Sequence, residues 1–86
     1  MAKAKMGLTK EQYNSLSYMQ KELHDYWREF RQSLYREAVK DGDLLEMVSS
    51  IGDRMDEQMV SLIRQGLTPG EAHEIVWEDE YSSYQG

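Results

Sequence analysis

Acidic side chains recur at helical spacing in the second half of this 86-residue chain. Glu71, Glu74 and Glu78 follow one another at intervals of three and four, so they would share one face of an α-helix. Their carboxylates would lie about 5–6 Å apart, which approximates the spacing of phosphates along a nucleic-acid strand. Two interpretations stay open: the row docks on a Lys/Arg channel of a nucleic-acid-binding protein, or it only solubilises the chain.

The predicted partner-binding residues include this row and its acidic neighbours. They are Asp53, Asp56, Glu57, Glu71, Glu74, Glu78, Asp79, Glu80 and Tyr81. Residues 41–86 contain eleven acids and two bases, a balance of −9, whereas residues 1–40 contain eight bases and five acids, a balance of +3. The total of −6 argues against a general nucleic-acid binder, and its uneven distribution favours an acidic face that meets a basic partner.

A second candidate surface is basic. Arg28, Arg31 and Arg36 lie among aromatic residues, and such a face contacts phosphates in many nucleic-acid-binding proteins. Acids such as Asp25 and Glu29 occupy the same segment and offer ion-pair partners at helical spacing. A solvated helix face held by ion pairs is therefore the competing interpretation.

Metal and catalytic sites are not predicted. The pair His73-Glu74 begins like a zinc-binding His-Glu-x-x-His motif, but Trp77 stands where the second histidine is required. There is no cysteine, and no glycine-rich phosphate loop or nucleophile elbow. We therefore expect a protein without enzymatic activity, metal or cofactor.

The elements that position these residues are helices. Apolar residues from Tyr13 to Ala38 recur with a mean spacing of about 3.6, the period of an α-helix. Thr9 and Gln12 form a capping-box pattern, Asp41-Gly42 is a stop signal, and no glycine or proline lies between. The pattern predicts one long helix over about 10–40, with Trp27 and Phe30 in its buried stripe.

Two further helices follow. Helix 2 is predicted over about 44–65, with Gly52 inside it and Gly66 as its left-handed stop. Helix 3 is predicted over about 69–80, capped by Thr68 and Glu71, with Ala72, Ile75 and Val76 facing inward. The fold class is thus an all-α, three-helix single domain over residues 1–86, with flexible ends at 1–8 and 82–86.

Length and hydropathy limit where the chain works. No apolar run reaches the roughly 20 residues of a membrane span, and the first residues lack the apolar stretch of a signal peptide, so we expect a cytoplasmic protein without membrane contact. A chain of this size buries a thin core, and the long first helix would overhang its neighbours. That overhang predicts a homodimer through helix 1 or a surface for a partner.

The stretch from Tyr26 to Tyr81, about two-thirds of the chain, resembles the TnpV-type proteins of bacterial transposons and conjugative elements. The residues that carry the likeness are Tyr26, Arg28, Arg31, Leu34-Tyr35, Asp53, Glu57-Gln58, Leu62-Ile63, Glu74-Ile75-Val76 and Glu80-Tyr81. The chain lacks the glycine- and tyrosine-rich N-terminal segment of that family. The resemblance implies a small helical accessory protein of a mobile element and no catalytic residue.

These observations favour a non-enzymatic interaction protein of a mobile element or phage. Its acidic face would block a basic nucleic-acid-binding surface, such as that of a host defence nuclease, in the manner of an anti-CRISPR inhibitor that mimics DNA. The alternative is a DNA-associated accessory or regulatory protein, dimeric through helix 1. In that case Arg28, Arg31 and Arg36 would contact phosphates.

Overall fold

A computed structural model describes residues 7–83 of the chain, and over that range all regular structure is α-helical. The helices are α1 (Lys10–Asn14), α2 (Tyr18–Phe30), α3 (Gln32–Asp41), α4 (Leu44–Arg64) and α5 (Pro69–Ser83). The all-α fold class is therefore confirmed, and the ranges predicted for helices 2 and 3 correspond to α4 and α5. α5 continues three residues beyond the predicted end at about residue 80. The flexibility predicted for residues 1–8 and 82–86 stays a prediction, and residues 1–6 and 84–86 lie outside the described residues.

The prediction of one continuous helix over about 10–40 is wrong at two places. The first is Ser15 to Ser17, between α1 and α2. The Ser17 hydroxyl accepts a hydrogen bond from the Gln20 backbone N–H (3.2 Å), and the Ser17 N–H donates to Gln20 Oε1 (2.8 Å). This reciprocal capping box begins a new helix at Tyr18. At the end of α1, the Ser15 hydroxyl donates to the Gln12 carbonyl (2.8 Å).

The second interruption is at Arg31, between α2 and α3. Its backbone leaves the helical region (φ −128°, ψ 59°), although no glycine or proline lies nearby. Trp27 stays in the core and is fully buried, but Phe30 is 68% exposed, so its predicted burial is wrong. Because no local breaker explains this turn, we attribute it to the packing of α3 against α2, the helices on either side of the break. A continuous helix overhanging its neighbours, the premise of the homodimer prediction, is absent from residues 7–83.

Left-handed glycines end α3 and α4 as predicted. Gly42 (φ 79°) and Gly66 (φ 110°) are the C′ residues of two Schellman motifs. In the second motif the Leu67 N–H donates to the Leu62 carbonyl (3.2 Å), and the Gly66 N–H donates to the Ile63 carbonyl (3.0 Å). Glycine tolerates this positive φ without the strain that a side chain would cause.

Gly52 marks the close approach of α2 and α4. A Cβ atom at this position would lie 2.5 Å from Gln20 Cγ and 3.0 Å from Gln20 Cα. The Gln20 amide joins the same helices, because its Nε2 donates to the Ser49 carbonyl (3.1 Å) and to Asp53 Oδ1 (2.9 Å). Gly52 therefore lies at a close crossing of α2 and α4, where a larger side chain would meet Gln20.

The chain divides into two compact units, one up to Asp53 and one from Arg54 onward. The buried apolar residues of the first unit are Leu16, Met19, Leu23, Trp27, Ala38, Leu44 and Val48, and those of the second are Met55, Ala72, Val76 and Trp77. The first unit contains eight bases and nine acids, and the second two bases and seven acids, so their balances are −1 and −5. The acidic character therefore belongs mainly to the second unit. The prediction of a single domain stays a prediction.

Within residues 7–83, no helix combines the length and the apolar content that crossing a bilayer requires.

Candidate functional site

The acidic row of α5 lies on the solvent side of that helix. Glu71, Glu74 and Glu78 are all exposed, as their spacing of three and four predicts. α5 carries no lysine or arginine, and no ion pair joins Glu74 or Glu78 to a base anywhere in residues 7–83. No described base therefore compensates the negative charge of these two carboxylates.

Two exposed apolar side chains border this row. Ile75 is 41% exposed and Tyr81 is 45% exposed, whereas Ala72 and Val76 are buried as predicted. The prediction that Ile75 faces inward is wrong. The buried side of α5 includes Val76 and Trp77, and Ile75 lies outside it. A carboxylate row with exposed Ile75 and Tyr81 at its borders combines charge with the apolar anchors that protein interfaces use.

Glu80 does not belong to this surface. It lies one helical turn after Val76 and is only 7% exposed, so it lies on the buried side of α5. Its Oε2 atom is buried without a hydrogen-bond partner among the described residues. A basic partner cannot reach a carboxylate in that position. The prediction that Glu80 is a partner-binding residue is therefore not supported by its burial.

Glu71 has a structural role at the start of α5. Its Oε1 accepts a hydrogen bond from the Thr68 N–H (2.9 Å), and its own N–H donates to the Thr68 hydroxyl (3.2 Å). This is the predicted capping box, and the negative charge also complements the positive end of the helix dipole. We therefore centre the candidate surface on Glu74 and Glu78.

The three α4 acids of the predicted set occupy different environments. Asp53 belongs to the first unit, where it accepts the hydrogen bond from Gln20 that ties α2 to α4. Asp56 and Glu57 belong to the second unit and are half-buried and exposed, respectively. Asp79 is exposed on α5 and directly follows Glu78 in the sequence, but it lies about 100° around the helix from Glu78.

The three arginines of the alternative surface are not on one continuous helix. Arg28 lies in the last turn of α2, Arg31 is at the interruption, and Arg36 is in α3. The Arg31 guanidinium lies 5.8 Å from the centre of the Tyr26 ring, a cation–π contact. Arg28 and Arg36 line two different cavities. The helical register that placed the three guanidinium groups on one face is therefore broken.

The first unit contains a polar cavity that the sequence did not predict. It has a volume of about 980 Å³, and its lining includes Lys10, Tyr13, His24, Asp25, Arg28 and Tyr35. α2 supplies His24, Asp25 and Arg28 from consecutive turns, while Tyr13 comes from α1 and Tyr35 from α3. The two interruptions of the predicted long helix are what allow α1 and α3 to approach α2 here.

His24 is the centre of this cluster and is 5% exposed. Its Nδ1 lies 3.0 Å from Asp25 Oδ1, and its ring meets the rings of Tyr13 and Tyr35 edge to face, with centroids 5.2 and 5.6 Å apart. The Tyr13 hydroxyl donates to the same Asp25 carboxylate, at 3.1 Å from Oδ2. Asp25 thus holds both Tyr13 and the histidine ring in place. The sequence contains one indication of this cluster. The Ser17–Gln20 capping box begins α2 and thereby places His24 in the second turn of that helix.

The Tyr13 hydroxyl has an altered acidity. Burial raises its pKa above 10.0, the hydrogen bond to Asp25 and the negative charge of Asp25 raise it further, and the positive charge of Arg28 lowers it. The folded chain therefore retains this proton at a pH where the unfolded chain loses it. This contribution to stability is complete below the unfolded pKa and is lost as the pH rises through the folded pKa.

Replacing this hydroxyl should change the alkaline stability of the protein. We expect Tyr13→Phe to show a shallower fall in the free energy of unfolding than the wild type as the pH rises above about 10. Urea unfolding at a series of pH values measures the slope. Tyr18→Phe is the matched control, because Tyr18 is 76% exposed and its variant should keep the wild-type slope. Equal slopes for the wild type and Tyr13→Phe would contradict this reading of the cluster.

Among the described residues, no group of three or more His, Asp or Glu side chains has the geometry to hold a metal ion. Comparison of the chain with protein-family models, curated proteins and solved structures finds no match.

Proposed function

We propose that this chain is a non-enzymatic interaction protein whose α5 surface binds a basic, nucleic-acid-binding surface of another protein and blocks it. A defence nuclease of a bacterial host is the candidate partner, and the inhibition would resemble that of an anti-CRISPR protein that mimics DNA. The protein would act in the host cytoplasm. The TnpV-type resemblance supports an origin in a mobile genetic element or phage.

The observation that carries this proposal is the state of Glu74 and Glu78. Both carboxylates are exposed, one helical turn apart, on a helix without bases, and within the described residues neither has an ion pair. Like charges at this spacing destabilise a helix by a few tenths of a kcal/mol per pair. A cationic partner bound to this surface would relieve the repulsion between the two carboxylates, and the free energy of binding would become more favourable.

Exposed Ile75 and Tyr81 supply the second component of an interface. Carboxylates steer a basic partner and fix its register, but they lose their hydration shell on binding, so charge alone gives modest affinity. Apolar and aromatic side chains beside them provide area whose removal from water is favourable. The mixture of Glu74 and Glu78 with Ile75 and Tyr81 therefore suits recognition of a specific protein surface better than simple solubilisation.

Charge reversal on α5 tests this proposal. The variant Glu74→Lys/Glu78→Lys raises the net charge from −6 to −2, and Asp41→Lys/Glu46→Lys makes the same change at exposed positions of the first unit. Each protein would serve as bait in a bacterial host extract, and the captured partner would be purified. Its affinity for the bait and for duplex DNA would then be measured against salt concentration.

We expect the wild-type chain to compete with DNA for the partner and to bind more weakly as salt rises. The α5 variant should lose about 10- to 100-fold in affinity, whereas the control variant should bind like the wild type. Equal losses of affinity in both variants would show that binding depends on the net charge of the chain and not on the α5 surface. A partner that binds DNA and this chain simultaneously would exclude blocking as the mechanism.

A further inference from the structure

The cavity around His24 is lined by hydrogen-bond donors that have no partner among residues 7–83. Arg28, Lys10, Gln32 and Tyr35 all line it. Within residues 7–83, neither the two cationic groups, nor the Gln32 amide, nor the Tyr35 hydroxyl has a hydrogen-bond or ion-pair partner. Four unused donors around one cavity favour a ligand rich in acceptor atoms.

The acceptors of the cavity are largely occupied. Asp25 accepts a hydrogen bond from Tyr13 (3.1 Å) and lies 3.0 Å from His24 Nδ1, so its oxygen atoms already have partners inside the cluster. The two bases of the lining, Lys10 and Arg28, formally balance its two carboxylates, Asp25 and Glu29. The donors of Lys10 and Arg28 thus lack described partners, whereas the oxygen atoms of Asp25 are engaged.

The walls of the cavity are also held in position. His24 is buried, its ring is fixed by Asp25 on one nitrogen, and the rings of Tyr13 and Tyr35 pack edge to face against it. Such preorganisation lowers the entropy lost on ligand binding for Tyr35, whereas the exposed side chains of Lys10 and Arg28 would become ordered when the ligand binds. The volume of about 980 Å³ lies within the range of small-molecule sites.

We propose that this cavity is a binding site for a small oxyanion, a phosphate or a carboxylate, held by Arg28 and Lys10 through charge and by Tyr35 through its hydroxyl. Arg28 is the central contact, because a guanidinium group presents parallel N–H donors that match the oxygen atoms of both anions. The site lies in the first unit, and its existence does not depend on the interaction proposed for α5.

The test is an NMR titration of the full chain with inorganic phosphate and, in a separate arm, with acetate, each at constant ionic strength. We expect saturable shifts of the His24 ring and Tyr35 signals with at least one anion, and the arm that saturates identifies the class. Arg28→Gln should weaken binding about 10-fold or more, the effect of losing a charge-assisted hydrogen bond. Tyr35→Phe should weaken it by a smaller factor.

Arg36→Gln is the matched control, since Arg36 is an exposed arginine of α3 that lines the neighbouring cavity instead. This variant should keep the wild-type affinity for the anion. The proposal is overturned if neither anion gives saturable shifts at these signals, or if Arg28→Gln and Tyr35→Phe, with their folded amide spectra intact, bind as tightly as the wild type. Equal weakening by Arg28→Gln and Arg36→Gln would also overturn it, because a general charge effect would then explain the shifts.

Discussion

Replacing Trp27 by alanine should lower the free energy of unfolding by about 3–5 kcal/mol, the usual loss for a fully buried tryptophan. Trp27 is 0% exposed and is the largest buried side chain of the first unit. A chain of this length is expected to have a total stability of about 4–13 kcal/mol, so the variant would lose a large share of it. Urea unfolding followed by circular dichroism measures the change, and Trp27→Phe provides a milder variant if Trp27→Ala fails to fold.

Phe30→Ala is the informative comparison for this prediction. On a continuous helix Phe30 would share the buried stripe with Trp27, and its loss would have a comparable effect. The interruption at Arg31 leaves Phe30 68% exposed instead, so its replacement should change the free energy of unfolding by less than about 1 kcal/mol. If Phe30→Ala is as destabilising as Trp27→Ala, Phe30 is buried and the interruption between α2 and α3 at Arg31 is contradicted.

Gly52→Ala should also destabilise the protein, by about 1–3 kcal/mol. Alanine favours a helix over glycine by up to about 1 kcal/mol, so local propensity alone predicts the opposite sign. The new Cβ would lie 3.0 Å from Gln20 Cα, a backbone atom that cannot rotate away. The helices must therefore separate, which strains the hydrogen bonds from Gln20 to Ser49 and Asp53.

Gly70→Ala is the matched control for this substitution. Gly70 lies in the first turn of α5, and a Cβ atom there would meet no atom within 4 Å. Its replacement should stabilise the protein by up to about 1 kcal/mol through helix propensity. Thermal and urea unfolding of the two variants should give opposite signs. Stabilisation by Gly52→Ala would show that α2 and α4 do not approach closely at this position.

The local signals in the sequence predicted helix ends well. The capping boxes of Thr9 and Thr68 and the left-handed glycines at 42 and 66 act within a few residues, so the structure contains them where the pattern places them. The sequence also contains the Ser17–Gln20 capping-box pattern. It was not predicted as a helix start, because the apolar residues from Tyr13 to Ala38 recur at helical spacing without interruption. The apolar residues of a sequence can keep helical spacing across a short break when the helices on either side of it pack against the same core.

The charge pattern depended on where the chain was divided. A division at residue 40 gave +3 and −9, whereas the boundary at Asp53 gives −1 and −5. The acids between these two boundaries include Asp53, which bonds Gln20 within the first unit. The surface that we propose for partner binding is smaller than the acidic half of the sequence and comprises Glu74 and Glu78 with exposed Ile75 and Tyr81.

The sequence by itself determined the helical class, both ends of α4, the start of α5 and the exposed acidic row of α5, because each follows from interactions between residues at most six positions apart. Only the tertiary structure decided the interruption at Arg31, the burial of Glu80 and the cavity around His24. These features depend on contacts between residues distant in the chain, such as His24 with Tyr13 and Tyr35. The free energy of such contacts depends on how whole helices pack, and no local pattern of residue types encodes that packing.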